Sequence, residues 1–403
     1  MITFNTIPLS VASILKTLRD KGYESYLVGG CVRDILLGRE PHDYDITTNA
    51  TPDQVEQIFS HTIPTGKQYG TITVIWDSED GMEEQSVEVT TFRKDSSTYS
   101  DGRRPDYVEF GTSLKEDVER RDFTINALAW SPETGIVDYV DGVTDLTNKI
   151  IRTVGDPYER FEEDALRTIR CIRFATKYNF TIERETRNFL VEMIKNKNCL
   201  QYVSKERIHD EIYKILPYYE ANYDWSEIDL EMFNCFAMIF NSYGFVTFTD
   251  RSKYNLKYRL YELYNYYIDR MKDLKFSNED IKYVTDMDKC NYDYHYFYDR
   301  ASLPYKVRVL ISRYGNNIVQ DFLIYHEQID VNTAIMLVNE ALNHCLSLDS
   351  LKINGDDLLK LGYKGKEIGK ILNKCLEYVL VFPEDNNKES LINFVSTLNC
   401  IIK

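Results

Sequence analysis

Two aspartates two residues apart, Asp43 and Asp45, stand in the segment GREPHDYDITTNATP with no lysine or arginine directly beside them. The flanking Tyr44, Ile46 and Thr47 favour a strand, in which alternate side chains share one face. Two carboxylates that close together resist ionising together. A bare D-x-D is most often an exposed turn. Two divalent cations about 3.5–4 Å apart would neutralise such a pair and make it a catalytic metal site.

A diglycine segment, LVGGCVRD, precedes this pair by about ten residues and places Gly29 and Gly30 between a strand and a helix start. Backbone without side chains lets a phosphate approach the amide groups and the positive end of the helix. Arg33, one turn into the helix, can reach the same anion. A lone Gly-Gly is most often only a turn, but a phosphate cradle followed by paired carboxylates indicates nucleotidyl transfer.

Two further residues extend this candidate site. Glu88 alternates with Val87 and Val89 in the strand SVEVTTF, which makes it a candidate third catalytic carboxylate; a solvent-facing glutamate is an equally open interpretation. Arg121 in RRDFTINALAW follows a basic neighbour and precedes what the pattern indicates is an apolar helix. An arginine there can supply a second triphosphate clamp.

The segment EEDALRTIRCIRF predicts one helix that presents several charges together. Asp164, Arg167 and Arg170 are each three residues apart and share a strip about 120° wide, with Arg173 further round. In an arbitrary helix this spacing usually means ion pairs on an exposed face.

The elements that must position these residues change type along the chain. Up to about residue 150 the pattern mixes strands (25–30, 70–76, 86–92) with helices (9–22, 31–38), and Thr51 and Pro52 begin another helix. From Glu159 onward apolar positions follow helical spacing and no strand is indicated. The predicted architecture is an α/β head followed by an all-helical remainder.

Bulk composition restricts the class of protein. Hydrophobic residues make up 43% of the 403, which predicts a buried core, and no apolar run approaches 18 residues. The eight cysteines include no C-x-x-C, which favours reduced thiols and a cytoplasmic protein. The net charge of −16 excludes non-specific nucleic-acid binding by bulk electrostatics, so a polyanion must be held by local positive patches.

Five segments resemble, in order, the motifs of the class II tRNA nucleotidyltransferases, that is the CCA-adding enzymes and the related bacterial poly(A) polymerases: YLVGGCVRDILLGREPHDYDITTNATP, RRDFTINALAW, VDYVDGVTDL, RFEEDALRTIRCIRFA and VSKERIHDEIYKIL. The resemblance is close over 1–216 and looser at INGDDLLKLGYKGKEIGKIL. It implies an α+β protein with a polymerase-β-like, five-stranded mixed-sheet head and an all-helical neck, body and tail. The implied domains are a catalytic nucleotidyltransferase head (1–150), a neck with the nucleotide-selecting helix (151–216), a body (217–330) and a tRNA-binding tail (331–403).

The resemblance also implies an activity: template-independent addition of C, C and A to the 3′ end of tRNA from CTP and ATP, with Mg²⁺ held by Asp43 and Asp45. The expected partner is the 3′ end and acceptor arm of tRNA, with no membrane and no stable protein partner. The implied nucleotide-binding residues are Gly30, Arg33, Arg121, Asp164, Arg167, Arg170 and Arg173. Among them Arg170 and Arg173 would hold sugar or phosphate.

Hydrogen-bond chemistry makes it plausible that Asp164 and Arg167 read the base. A carboxylate only accepts and a guanidinium only donates. Cytosine and adenine both present an amino donor beside a ring-nitrogen acceptor, whereas uracil and guanine present the opposite order. A wrong base would leave buried charges unpaired, which is costly.

Other functions remain open at this point. A poly(A) polymerase or an A-adding enzyme shares these motifs, and a non-catalytic RNA-binding protein could keep the fold. The full-length polar loop at 93–110 favours complete CCA addition. The intact pair Asp43 and Asp45 argues against a lapsed enzyme, which has no physical reason to keep repelling carboxylates. The segment GYKGKEIGK could bind tRNA phosphate or only connect two helices.

Overall fold

The computed structural model describes residues 2, 6–76, 85–96, 107–111, 113–195, 199–218, 256–264, 268–297, 301–327 and 329–402. The chain forms two compact units, Met1–Tyr243 and Gly244–Lys403. The acidic turn expected at 77–84 and most of the loop expected at 93–110, with Arg103 and Arg104, lie outside the described residues. None of the described helices is long and apolar enough to cross a membrane.

A mixed sheet forms the centre of the first unit. The described part of this unit contains the strands β1 (Ser25–Val28), β2 (Asp45–Thr48), β3 (Thr62–Gly66), β4 (Thr71–Trp76), β5 (Gln85–Thr91), β6 (Arg93–Asp95), β7 (Val108–Phe110), β8 (Ala129–Ser131), β9 (Gly135–Val137), β10 (Ile150–Ile151) and β11 (Thr181–Ile182). Seven of them form one sheet in the order β3-β4-β5-β2-β1-β8-β9. Among the described strands of this sheet, β2 and β5 are the only neighbours that run parallel. The mixed-sheet head is therefore confirmed.

The sheet has seven strands where five were expected. The apolar run after Arg121 is not the helix that its pattern indicated, because it enters the sheet as β8 beside β1 and pairs with β9 as a hairpin. An apolar run that short cannot be assigned to helix or strand by periodicity alone. The remaining strands form two small pairs, β6 with β7 and β10 with β11. Strand β11 corrects the expectation that no strand follows Glu159.

Nine helices surround this sheet or follow it within the described part of the first unit. They are α1 (Leu9–Asp20), α2 (Gly30–Leu36), α3 (Pro52–Ile58), α4 (Leu114–Glu119), α5 (Gly142–Thr147), α6 (Pro157–Glu163), α7 (Leu166–Tyr178), α8 (Arg184–Lys195) and α9 (Lys205–Ile215). The predicted start of α3 is confirmed, since the Thr51 hydroxyl accepts from the Gln54 N–H in a capping box and Pro52 is the first helical residue.

The single helix expected over residues 162–174 is divided between α6 and α7. Asp164 has φ −145° and ψ 101°, an extended conformation, and its Oδ1 accepts from the N–H of Leu166 at 3.1 Å. An aspartate bonded to the backbone two residues on competes with the helix in this way. The helical spacing used for Arg167 and Arg170 therefore does not extend to Asp164. Helix α7 packs on α9, and α6 on α8.

Strands β1 and β2 are held in place by their buried side chains. Val28 packs in one apolar cluster with Phe92, Val118 and Ala127, all at most 1% exposed. Three of the four residues of each strand are buried. Because both strands lie in the middle of the sheet, the turn after β1 and the first residue of β2 have fixed positions.

The second unit is helical throughout its described part. Its helices are α10 (Leu256–Tyr264), α11 (Ile268–Asp273), α12 (Asn278–Tyr292), α13 (Leu303–Tyr314), α14 (Asn316–Asp321), α15 (Val331–Leu342), α16 (Gly355–Lys360), α17 (Lys366–Val381) and α18 (Lys388–Ile402). Leu358, Val379 and Leu391 belong to one of its apolar cores. In GYKGKEIGK, Gly362 (φ 97°) and Gly365 (φ 55°) make the turn between α16 and α17.

Candidate active site

The turn between β1 and α2 holds two arginines against backbone that lacks side chains. Gly29 has φ 81°, a left-handed conformation that favours glycine. A Cβ on Gly29 would lie 2.9 Å from Nη1 of Arg121, and a Cβ on Gly30 would lie 3.4 Å from Nη2 of Arg33. Guanidinium groups beside backbone that carries no side chains are an arrangement that suits a phosphate. The structure thus brings Gly30, Arg33 and Arg121 together at this turn, and Gly29 joins them as the residue that permits the close approach.

Arg121 has a donor that the described residues do not satisfy. Its Nη2 lies 3.6 Å from Oδ2 of the fully buried Asp117. Its Nε–H is buried and has no hydrogen-bond partner in the part of the chain that the structure describes. A buried N–H left unpaired costs about 1–3 kcal/mol. An anionic ligand at the glycine turn would remove that cost.

Asp117 is a site residue that the sequence reasoning missed. Its carboxylate accepts from the hydroxyl of Thr47 at 3.1 Å and from Nη2 of Arg120 at 2.7 Å. Burial works to raise the pKa of Asp117, but Arg120 and Arg121 bring it below its usual value. Asp117 therefore stays ionised and ties strand β2 to Arg121. The i,i+4 spacing of Asp117 and Arg121 was a signal that could have indicated it.

Arg33 is enclosed rather than exposed. It is 5% exposed, its Nε donates to Oδ1 of Asp34 at 2.9 Å, and its Nη1 donates to Oδ1 of Asn126. Its guanidinium carbon lies 4.7 Å from the ring centre of Tyr178 and 5.2 Å from that of Phe174. These contacts hold the cation in one orientation beside the turn.

The carboxylates occupy the neighbouring part of the sheet, with one difference from the prediction. Asp45 is the first residue of β2, whereas Asp43 is exposed and lies two residues before the strand. Asp45 pairs in register with Glu88 on the parallel strand β5. Glu88 is exposed between the buried Val87 and Val89, as the alternation predicted. Paired residues on adjacent strands project to the same face, so Glu88 and Asp45 share one side of the sheet.

These carboxylates act on one another electrostatically. Burial raises the pKa of Asp45 to about 6, Arg121 opposes the rise, and the charges of Asp43 and Glu88 add to it. A hard divalent cation, which prefers oxygen ligands, would relieve this repulsion. Among the described residues, no group of three or more His, Cys, Asp or Glu side chains is placed to hold a metal ion. The donor chemistry therefore fits a cation that takes one or two carboxylates and completes its shell with phosphate oxygens and water.

The raised pKa leads to a prediction about stability. Asp45→Asn should increase the free energy of unfolding of the metal-free protein at pH 7.5 by about 1–3 kcal/mol. The folded pKa near 6 lies above the unfolded value of about 3.9, so the stabilising contribution of the protonated carboxyl is complete below pH 4 and is lost as the pH rises through 6. The gain should therefore be larger at pH 7.5 than at pH 5, in denaturant titrations with EDTA.

The matched control for that measurement is Asp53→Asn, because Asp53 is a surface carboxylate whose side chain is 74% exposed. Its substitution should change the free energy of unfolding little at either pH. A lower stability of Asp45→Asn at pH 7.5 would contradict the assignment of Asp45 as a strained, desolvated carboxylate.

Helix α7 carries two arginines, implied by the family resemblance to bind the nucleotide, that form ion pairs with Asp122 of the head and with Glu211 of α9. Nη2 of Arg170 lies 2.5 Å and its Nε 2.9 Å from Oδ2 of Asp122. Arg173 donates to Glu211 of α9 at 2.6 Å, with its guanidinium 4.2 Å from the ring of Phe174. Although burial works to raise it, the pKa of Asp122 is well below its usual range because Arg170 neutralises the carboxylate. Both arginines thus have protein partners, and Asp122 is the residue that ties Arg170 to the segment after Arg121.

Asp164 and Arg167 lie at the start of α7 and bond to different partners. Oδ2 of Asp164 accepts from Arg207 of α9 at 2.7 Å. Arg167 donates to Glu163 at 2.6 Å and to the carbonyl oxygens of Arg160 (3.0 Å) and Arg120 (3.2 Å). Arg207 had no signal in the sequence, since it is 43 residues from its partner.

Both side chains keep hydrogen-bonding capacity for a ligand. Three of the five N–H groups of Arg167 are used by its contacts with the described residues, so two remain. A carboxylate offers about four acceptor positions, and Asp164 uses two of them on Leu166 and Arg207. The pair is thus held by the protein but not saturated.

Comparison with known proteins gives consistent matches. A family model described as the Poly A polymerase head domain matches residues 25–152. The CCA-adding enzyme of Ligilactobacillus salivarius (strain UCC118) is 38% identical over 399 residues, which cover 94% of this chain and 94% of that protein. The CCA-adding enzyme of Lactobacillus helveticus (strain DPC 4571) is 46% identical over 218 residues, 53% of this chain and 52% of that protein.

Solved structures resemble the whole chain. The Bacillus stearothermophilus CCA-adding enzyme in complex with CTP matches with a TM-score of 0.73 at 24% identity, covering 97% of each chain. The Thermotoga maritima CCA-adding enzyme complexed with tRNA matches with a TM-score of 0.66 at 21% identity, covering 98% of this chain and 97% of that one. These likenesses confirm the fold, a mixed-sheet head followed by helices.

Proposed function

The chain belongs to the family of CCA-adding enzymes, which complete the 3′ end of tRNA without a template, and we propose that the site around Asp43 and Asp45 performs this reaction from CTP and ATP. The observation that carries the assignment is the buried Nε–H of Arg121 at the Gly29 turn, which no described residue accepts, beside the desolvated Asp45. An anion-binding cradle and a set of repelling carboxylates in one place are the two halves of a nucleotidyl-transfer site.

The triphosphate binds in this proposal at the glycine turn. The backbone amide of Gly30 and the guanidinium groups of Arg33 and Arg121 contact its oxygens, whereas the Gly29 N–H already donates to the carbonyl oxygen of Leu128 at 3.0 Å. Because Arg33 is already fixed by Asp34 and Asn126, little side-chain freedom is lost on binding. The triphosphate is thereby held with its reacting phosphorus towards the first residue of β2.

The carboxylates hold the cofactor, which we propose to be Mg²⁺. Asp43 and Asp45 are its ligands, and Glu88 shares their face of the sheet as a further carboxylate. When bound, Mg²⁺ neutralises the developing charge on the phosphate and lowers the pKa of the attacking hydroxyl. The oxygen-only donor set supports Mg²⁺ over softer metals.

Base selection belongs to the start of α7. Asp164 accepts from the amino group of cytosine or adenine, and Arg167 donates to the adjacent ring nitrogen through the N–H groups that its protein contacts leave over. Arg170 and Arg173 lie further along the same helix, towards sugar or phosphate. The reader of the base is thus the protein, which is what a reaction without a template requires.

The domain division of 1–150, 151–216, 217–330 and 331–403 remains part of the proposal, with tRNA held along the helical region. Three exposed lysines support contact of the tail with backbone phosphates: Lys364 in the turn between α16 and α17, and Lys366 and Lys370 in the first turns of α17. They offer a local positive patch on a chain of net charge −16. A tRNA substrate and thiols without a C-x-x-C pair support a cytoplasmic location.

The function is tested by incubating the protein with tRNA that ends before CCA and with each nucleotide alone and in pairs. We expect two C from CTP and one further A from ATP, with UTP and GTP poor substrates. Long runs of A from ATP alone would identify a poly(A) polymerase instead. A single A added only to tRNA ending in CC would identify an A-adding enzyme, and RNA binding without any addition would identify a non-catalytic relative.

A further inference from the structure

A continuous set of hydrogen-bonded side chains joins the glycine-turn helix α2 to two separate points of α7. This set, the Arg33 network, consists of Arg170, Asp122, Asn126, Arg33, Asp34 and Tyr178. Arg170 and Tyr178 are eight residues apart on α7, about 12 Å along the helix axis. The network therefore constrains both the position and the tilt of α7 relative to α2.

The first half of the network reaches α2 through the segment after Arg121. Arg170 of α7 donates to Asp122 at 2.5 Å, and Nδ2 of Asn126 donates to the other oxygen of Asp122 at 3.0 Å. Oδ1 of Asn126 then accepts from Nη1 of Arg33. Every member of this half is at most 10% exposed apart from Arg170, whose side chain is 32% exposed.

The second half returns from Arg33 to the end of α7. Oδ1 of Asp34 accepts from Nε of Arg33 at 2.9 Å and from the hydroxyl of Tyr178 at 2.9 Å. Burial raises the pKa of Tyr178, so its hydroxyl keeps the proton that it donates. The ring of Tyr178 lies 6.1 Å from that of Phe174 in a stacked orientation, and Arg33 contacts both rings.

The Arg33 network lies between the two helices that the proposed function assigns to one nucleotide. On the proposed function, α2 holds the triphosphate and the start of α7 reads the base, so one nucleotide spans the two helices. Selection by hydrogen bonds requires the base to meet Asp164 and Arg167 in register while its phosphates lie in the glycine turn. A shift of α7 by a fraction of a hydrogen-bond length would weaken the binding of the correct base more than the binding of a wrong base.

We propose that Asp34 and Tyr178 are positioning residues that set the distance between the triphosphate cradle and the base-reading end of α7. They thereby determine how strictly the enzyme chooses its nucleotide. This inference rests on the proposed function. Neither residue contacts the nucleotide in this proposal. Their contribution is to hold Arg33 and α7 in one mutual arrangement.

The test is Tyr178→Phe, which removes the hydroxyl and keeps the ring beside Arg33. On tRNA ending before CCA, the ratio of kcat/KM for CTP over UTP should fall about tenfold, since a hydrogen bond to a charged group is worth about that factor. The loss should lie in kcat for CTP more than in KM, because the triphosphate contacts remain. Asp34→Ala should lower the same ratio, and the double variant should lose no more than the larger single effect, as expected of residues that act together.

The matched control is Tyr283→Phe in the second unit, where a buried tyrosine hydroxyl bonds to Asp321 at 2.6 Å. It removes the same kind of bond and should lower the thermal unfolding temperature comparably while leaving the CTP-over-UTP ratio unchanged. An unchanged ratio in Tyr178→Phe, or an equal fall in Tyr283→Phe, would overturn the proposal. A wild-type protein that adds neither C nor A would instead overturn the proposed function.

Discussion

Replacing either aspartate of the pair, as Asp43→Asn or Asp45→Asn, should reduce the rate of nucleotide addition by at least about a thousandfold. Asparagine keeps the shape of the side chain but loses the charge that a divalent cation requires. Both variants should still bind tRNA, because the pair carries negative charge and contributes no contact to phosphate. Single-turnover addition of C and a gel-shift titration with the same tRNA would measure the two quantities.

The control for this prediction is again Asp53→Asn, which should add nucleotides at the wild-type rate. Glu88→Gln should have a smaller effect than either aspartate variant, since Glu88 shares the face of Asp45 but is not one of the two proposed metal ligands. Turnover by Asp45→Asn within tenfold of wild type would remove Asp45 from the metal site. The same substitution is predicted to stabilise the fold, so a loss of activity cannot be ascribed to unfolding if stability rises.

The second large effect concerns Arg167→Ala, which should abolish the preference for CTP over UTP. In the proposed function the wild-type arginine donates to the ring nitrogen of cytosine, a position that in uracil carries its own N–H. Loss of that contact should lower kcat/KM for CTP about 100-fold or more while changing the slow use of UTP little. Steady-state kinetics with each nucleotide on tRNA ending before CCA would show the change.

Arg19→Ala is the matched control, because Arg19 is also a mostly buried arginine that pairs with a carboxylate, Glu133, and donates to a backbone carbonyl, that of Ser25. It lies on α1 and should leave the ratio of CTP to UTP unchanged. A ratio preserved in Arg167→Ala would show that the base is read elsewhere. A fall in both variants would indicate a general effect of losing a buried guanidinium.

The proposed triphosphate site and the proposed base-reading pair differ in the contacts that their residues make within the protein. The cradle is preformed, since Gly29, Arg33 and Arg121 are already in contact. The base-reading pair is positioned but bonded to other protein groups, with Asp164 on Arg207 and Arg167 on Glu163. In the proposed function the base replaces these protein partners when a nucleotide binds. The charges of Asp164 and Arg167 are therefore never buried without a partner.

The sequence by itself determined the local features. The spacing of Gly29, Gly30 and Arg33, the start of the helix at Thr51 and the alternation around Glu88 all depend on neighbours a few residues away, and the structure has them as predicted. Ordered motifs also identified the family and hence the mixed-sheet head, because motifs that touch one ligand are constrained together.

Only the tertiary structure decided how the distant pieces meet. It placed Asp43 outside the strand of Asp45, broke the expected helix at Asp164 and turned the segment after Arg121 into strand β8. Each of these outcomes depends on a partner far along the chain or on a competing hydrogen bond, neither of which periodicity can register. The Arg33 network is the clearest case, since Asp34 and Tyr178 are 144 residues apart and their contact exists only once the head and α7 have packed.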